Sequence, residues 1–112
     1  MREFLWSEEM ADASVHVLLN VDFKDTCMEG SKDIRNCHIN VGTGKEVCIR
    51  EVAEVIMKEV QFKGDLRWDS SKPDGTMRKL TDVSKLHSLG WHHKIEIDEG
   101  IERLYEWYLK GV

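Results

Sequence analysis

The residues of this chain best suited to chemistry lie in one segment, Ser71-Lys72-Pro73-Asp74-Gly75-Thr76-Met77-Arg78-Lys79. Lys72, Arg78 and Lys79 supply three cations and Asp74 one carboxylate, on a turn stiffened by Pro73. Such a set suits an anionic, hydroxyl-rich ligand, because Lys and Arg meet phosphate oxygens while a carboxylate accepts from a ribose diol. By residue type and spacing alone the run also reads as a solvated charged turn, since charge runs usually face water.

The other candidates fail on spacing. Gly42-Thr43-Gly44-Lys45 invites a phosphate-loop reading, but Ile39 stands where the first glycine is needed and Glu46 where Ser or Thr must follow the lysine. Glu46 and Val47 also remove the third glycine of a dinucleotide fingerprint. The motif therefore reads as a structural turn between a strand and a helix. Cys37-His38 with Cys48, and His92-His93, are the local metal-ligand clusters, and neither has structural-zinc spacing. No metal is expected. Cys27, Cys37 and Cys48 contain no CxxC and leave an odd thiol however they pair, so they read as reduced packing residues of a cytoplasmic protein.

These residues need elements to position them. Arg2 to Trp6 is β-compatible and stops at Ser7, an N-cap candidate with Glu8 and Glu9 at the positive end of a helix dipole. The spacing of Met10, Ala11, Ser14, Val15, Leu18 and Leu19 predicts a helix over 8–20 whose apolar stripe packs into a core. Periodicity fails from about 21 to 37, which reads as a solvated variable loop. His38 to Val41 reads as a strand, ended by glycines that permit positive φ. Ile49, Val52, Ala53, Ile56, Met57 and Val60 mark the cleanest helix, with Cys48 at its N-cap, Glu51 at N3 and Gly64 closing the segment. Asp65 to Asp69 alternates like a strand, Ser84 can cap a short helix over 85–89 ended by Gly90, and Trp91 then packs back. Ile97, Ile101, Leu104, Tyr105 and Tyr108 form the stripe of a last helix over 97–109.

At 112 residues, with 41% hydrophobic and 33% charged residues, the chain has the size and composition of one globular domain able to bury a core. A net charge of −5 argues against nucleic-acid binding. No apolar run is long enough to cross a membrane, and the N-terminus lacks the regions of a signal peptide.

Several motifs, in order along nearly the whole chain, resemble one family. Arg2-Glu3-Phe4-Leu5, Met10-Ala11-Asp12-Ala13, Ile39-Asn40-Val41-Gly42-Thr43-Gly44, Ile49-Arg50-Glu51, Asp82-Val83-Ser84-Lys85-Leu86 and Leu89-Gly90-Trp91 are similar to the C-terminal part of extended short-chain dehydrogenase/reductases that modify sugar nucleotides. Within that superfamily, Asp69-Ser70-Ser71-Lys72-Pro73-Asp74-Gly75-Thr76 with Arg78-Lys79-Leu80 resembles the GDP-L-fucose synthases, NADPH-dependent epimerase-reductases of GDP-4-keto-6-deoxy-mannose.

The resemblance implies an α/β fold class in which this chain is an α+β, substrate-binding remainder: about three main helices, a short one and short strands, without the N-terminal Rossmann core. It implies that Arg2 meets the nucleotide diphosphate, Asp74 the ribose and Lys79 the guanine, with Lys72 and Arg78 as further candidates. The chain departs from the family at Trp6-Ser7-Glu8-Glu9 and at Met77, where proline is usual, and Asp65 inherits no ligand role. Tyr105 is followed four residues later by Leu109 and Tyr108 by Val112, so neither supplies the family's Tyr-x-x-x-Lys pair. The expectations are therefore a GDP-sugar ligand, no catalytic residue and no cofactor for these 112 residues alone. NADP(H) would be held by a Rossmann domain supplied in cis or in trans, and a homodimer would form only in the full-length enzyme.

Overall fold

A computed structural model of the chain describes residues 1–27 and 35–111. Five helices form among the described residues: α1 (Ser7–Asn20), α2 (Phe23–Thr26), α3 (Ile49–Glu59), α4 (Ser84–Ser88) and α5 (Ile97–Leu109). The three long helices fall where apolar periodicity puts them. The loop expected over 21–37 is broken by α2, and residues 28–34 of it lie outside the described residues.

The strands predicted at 2–6, 38–41 and 65–69 do not form. Pairing among the described residues is limited to one antiparallel bridge, in which the backbones of Arg2 and Val47 exchange two hydrogen bonds of 2.9 Å. Alternation marks a segment that fits a sheet, but a strand exists only when a neighbouring backbone lies within hydrogen-bonding distance.

The face of α1 that packs inward is not its apolar stripe. Glu9 and Ala13 are buried, while Val15, Leu18 and Leu19 are 53%, 80% and 73% exposed. Polar anchors fix this orientation. The Glu9 carboxylate accepts the backbone N–H groups of Lys94 (2.5 Å) and Ile95 (3.1 Å), and the Trp91 indole N–H donates to Asp12 at 2.9 Å. His16 Nε2 lies 2.8 Å from the Leu89 carbonyl. The bonds to the Glu9 and Asp12 carboxylates are charge-assisted and contribute about 1.5–3 kcal/mol each, enough together to decide which side of the helix turns inward. The buried core among the described residues is correspondingly small: a cluster of Ala13, Leu86 and Trp91 flanked by Leu5, Val17, Ile39 and Val41, with Val83 buried besides.

Helix ends also depart from the expected caps. Trp6 and Val83, not Ser7 and Ser84, occupy the N-cap positions of α1 and α4. At α4 the capping acceptor is Asp82, whose carboxylate receives the Ser84 N–H at 3.0 Å. Glu51 does bond back to the Cys48 N–H at 2.8 Å, as its position predicts. The helix α3 stops at Glu59, well before Gly64: Gln61 takes the left-handed conformation (φ 54°), with Gln61 N–H bonded to Lys58 O and Phe62 N–H to Met57 O. That is a Schellman closure made by glutamine. Gly90 (φ 93°) closes α4 in the same way and delivers Trp91 to the core.

The helices α3 and α5 pack against each other without closing a core. Ile56 and Leu104 stay 43% and 53% exposed, and both line an apolar cavity of about 240 Å³ with Phe4, Val52 and Ile101. The chain exposes 8998 Å², against roughly 6,300 Å² for a compact monomer of its 13.0 kDa. Its radius of gyration is 18.0 Å, against about 13 Å for a closed domain of this length. A self-sufficient globule, the reading from length and composition, is not what the chain builds.

Candidate functional site

The site grows around Arg2. Its backbone is pinned to Val47 by the bridge, which sets it beside the Gly42-Thr43-Gly44-Lys45 turn. Its guanidinium reaches the phosphate-compatible segment, where Nη1 donates to the Thr76 carbonyl at 2.6 Å and to the Met1 carbonyl at 2.7 Å. Gly75 lies directly against it, and a Cβ there would stand 3.3 Å from Nη2. The fork is therefore held by one nitrogen while Nη2 keeps its donors for another acceptor.

A second node ties three motifs together. The Glu3 carboxylate accepts the Thr81 hydroxyl at 2.6 Å and the Thr81 N–H at 3.2 Å. It crosses directly over Gly42, where a Cβ would fall 1.8 Å from Glu3 Oε1. Only Gly44 of this turn has positive φ, so the constraint on Gly42 is close approach instead of backbone conformation. Asn40 adds a bond to the Asp82 carbonyl at 3.2 Å. The Thr43 hydroxyl accepts the Lys45 N–H at 3.1 Å, and Lys45 Nζ reaches Glu96 at 2.5 Å. The lysine of the would-be phosphate loop is thus engaged with a carboxylate. Glu96 in turn is held below the usual carboxylate range, chiefly by that bond from Lys45, with His93 adding to it.

Within the candidate segment, Asp69 starts the turn: its carboxylate accepts the Ser71 hydroxyl at 2.6 Å and the Ser71 N–H at 2.9 Å. Those two bonds, the hydroxyl first, hold its carboxyl below the usual range. Arg78 Nε donates to Glu46 at 2.8 Å and so braces the segment against the turn before α3. Lys72, Asp74 and Lys79 are exposed. Among the described residues these three side chains make no hydrogen bond or ion pair, so two cations and a carboxylate stand open to solvent. The structure thus joins Arg2 to the segment at Thr76 and ties Arg78 down. Alongside, Arg50 stacks over Trp68 at 5.1 Å from the ring centroid.

Glu3, Glu46 and Thr81 have no signal in residue type or spacing, because each acts by a contact across 32 residues or more. The recurrence of Glu3 and Gly42 inside quoted motifs is the one trace the sequence carries of their roles.

No family model matches the chain. Curated proteins do. The chain is 46% identical, over 99% of its length, to a GDP-L-fucose synthase of Escherichia coli and 45% identical, over all of it, to GDP-L-fucose synthase 1 of Arabidopsis thaliana. Among solved structures, a GDP-6-OMe-4-keto-L-xylo-heptose reductase of Campylobacter jejuni matches with a TM-score of 0.90 at 45% identity, over 99% of this chain. The chain is similar along its length to extended short-chain dehydrogenase/reductases. It spans 34% and 31% of the two synthases and 31% of the reductase. It corresponds to the C-terminal part of these extended dehydrogenase/reductases, without their Rossmann core. A second neighbour, a GDP-D-glycero-L-gluco-heptose synthase of the same bacterium (TM-score 0.84, 44% identity, 96% of this chain and 30% of that one), was solved in the presence of NADPH. Among the described residues, no helix of the chain is long and apolar enough to cross a membrane.

Proposed function

We propose that this chain is the nucleotide-sugar-binding third of a GDP-L-fucose synthase-like enzyme, acting in the NADPH-dependent 3,5-epimerisation and 4-reduction of GDP-4-keto-6-deoxy-D-mannose. The observation that carries this reading is the seating of Arg2 on the Gly75–Thr76 turn, beside the uncompensated Lys72, Asp74 and Lys79. The relatives add support from a different direction. A GDP-L-colitose synthase of Yersinia pseudotuberculosis is 34% identical over 96% of the chain, and it shares with the fucose synthases and heptose enzymes the GDP handle but not the sugar.

In this reading Arg2 Nη2 donates to diphosphate oxygens, where a preorganised fork loses less freedom than an ammonium. Asp74 accepts from the ribose diol, Lys79 approaches the guanine, and Lys72 adds charge near the phosphates. Arg78, engaged with Glu46, keeps the segment in place and is the weaker ligand of the set. NADPH, held by a Rossmann domain in cis or in trans, supplies the hydride. This chain contributes the grip that orients the sugar nucleotide. It carries no acid, base or nucleophile of its own for the chemistry and is inactive by itself.

The test is calorimetry on the 112-residue chain. GDP binding that falls about tenfold or more in Arg2→Ala, the loss of a charge-assisted contact, supports the reading. UDP binding as strongly as GDP would shift it to another nucleotide sugar, and no binding by either protein would remove it. NADPH oxidation with the keto sugar nucleotide should read zero on the chain alone.

The exposed apolar stripe of α1 favours one further reading, that the chain is a non-enzymatic module which docks a separate Rossmann-bearing polypeptide. Co-purification of the two without turnover would mark it.

A further inference from the structure

The cysteines are not three independent packing residues. Cys27, just beyond α2, and Cys37 stand with their Sγ atoms 3.0 Å apart. A single side chain ties down the residues beside both thiols. Lys85 Nζ, reaching over from α4, donates to the carbonyls of Thr26 (3.1 Å), His38 (2.9 Å) and Asn36. It therefore grips the residue before Cys27 and the residues on both sides of Cys37. Further acceptors flank the thiols. The Phe23 carbonyl lies 3.6 Å from Cys27 Sγ and the Arg35 carbonyl 3.6 Å from Cys37 Sγ, each an alternative acceptor for the thiol beside it. The Cys37 thiol is pushed up, first by its hydrogen bond with Cys27, while Lys85 opposes the shift. Cys48 is elsewhere, at the N-terminus of α3. Both thiols of the pair are partly exposed, so a small oxidant has access.

A disulfide requires sulfurs at about 2.05 Å, so closure asks for a movement of roughly 1 Å by two side chains already facing each other. We propose that Cys27 and Cys37 form a redox-active dithiol, which low-molecular-weight disulfides convert to an intramolecular disulfide joining the two stretches that Lys85 of α4 already holds side by side. The reaction runs in two exchanges. One cysteine thiolate attacks the small disulfide, forming a mixed disulfide and releasing one small thiol. The second cysteine thiolate then attacks the protein sulfur of that bond, the protein disulfide forms, and a second small thiol leaves. The protein loses two hydrogens and two electrons, and the reagent gains both.

The experiment equilibrates the full chain in reduced and oxidised glutathione, then alkylates it and maps the peptides by mass. Two of the three thiols should become protected together, as a Cys27–Cys37 bond lighter by two hydrogens. The effective concentration should exceed that of the same chain in denaturant by about 100-fold, since a flexible loop of this span gives only the millimolar range. Cys48→Ser should leave that value unchanged. Lys85→Met should lower it by roughly tenfold while far-ultraviolet circular dichroism shows the helices intact. Three thiols open to alkylation throughout, glutathione adducts without the internal bond, a Cys48 bond, or equal values in native and denaturing buffer would each overturn the proposal.

Discussion

Arg2 shows how a side chain is oriented by what surrounds it. An unanchored guanidinium has many rotamers, but here the Val47 bridge fixes the backbone and the Thr76 carbonyl fixes one nitrogen. What remains is an oriented donor pair, the form in which Arg outperforms Lys at a phosphate. The turn it rests on is itself built by one carboxylate. Because Asp69 is bonded to Ser71 in the folded turn, its carboxyl lies below its unfolded value. The stabilisation is therefore present above the unfolded value, about pH 3.9, and is lost as pH falls through the lower folded one. Following the Asp69 carboxyl carbon by NMR, its midpoint should lie under that of a free aspartate and move upward in Ser71→Ala. An Asp69 midpoint that ignores the substitution would leave the turn without its organiser.

Elements in this chain form where local signals are strong, yet their ends and faces follow contacts. The helix α3 is closed, two residues past its end at Glu59, by Gln61, which reaches the left-handed region at a cost of about 1–2 kcal/mol. Gln61→Gly should remove that strain while loosening the unfolded chain, for a net gain of roughly 0.5–1 kcal/mol, seen as a higher midpoint in thermal unfolding. A drop instead would mean that the glutamine side chain contributes something the closure does not need. Phe62 bears on the same point: its ring would meet a Cβ at Gly64 within 2.3 Å, so Gly64 serves as clearance for that ring and does not end the helix.

The whole molecule is open where a domain would be closed. An excess of surface, an apolar cavity between α3 and α5, and an α1 stripe turned outward are three signs of one condition, that the apolar surface here exceeds what the chain can cover by itself. Contiguous apolar patches of this kind drive association. At raised protein concentration the isolated chain should self-associate in sedimentation velocity. Replacing Leu18 and Leu19 by Glu should shift it to monomer with its helicity retained, since neither side chain touches the core. A wild-type chain that stays monomeric at every concentration would show that the stripe is tolerated in water.

Local chemistry, written in the sequence, determined the three long helices, the Gly90 stop that sends Trp91 inward, and the charged, turn-forming character of the segment from Asp69 to Lys79. Such features depend on neighbours within a turn or two, so spacing reveals them. The tertiary structure alone decided that Glu9, Asp12 and His16, and not the leucines, anchor α1. It also decided that β-patterned segments find no partner strand, that Glu3 needs Gly42 bare, and that Cys27 meets Cys37. Each of these rests on a contact between residues far apart in sequence or on a competition between two faces of one helix. A period of 3.6 specifies that a stripe exists; which side turns inward depends on what the rest of the fold offers to each.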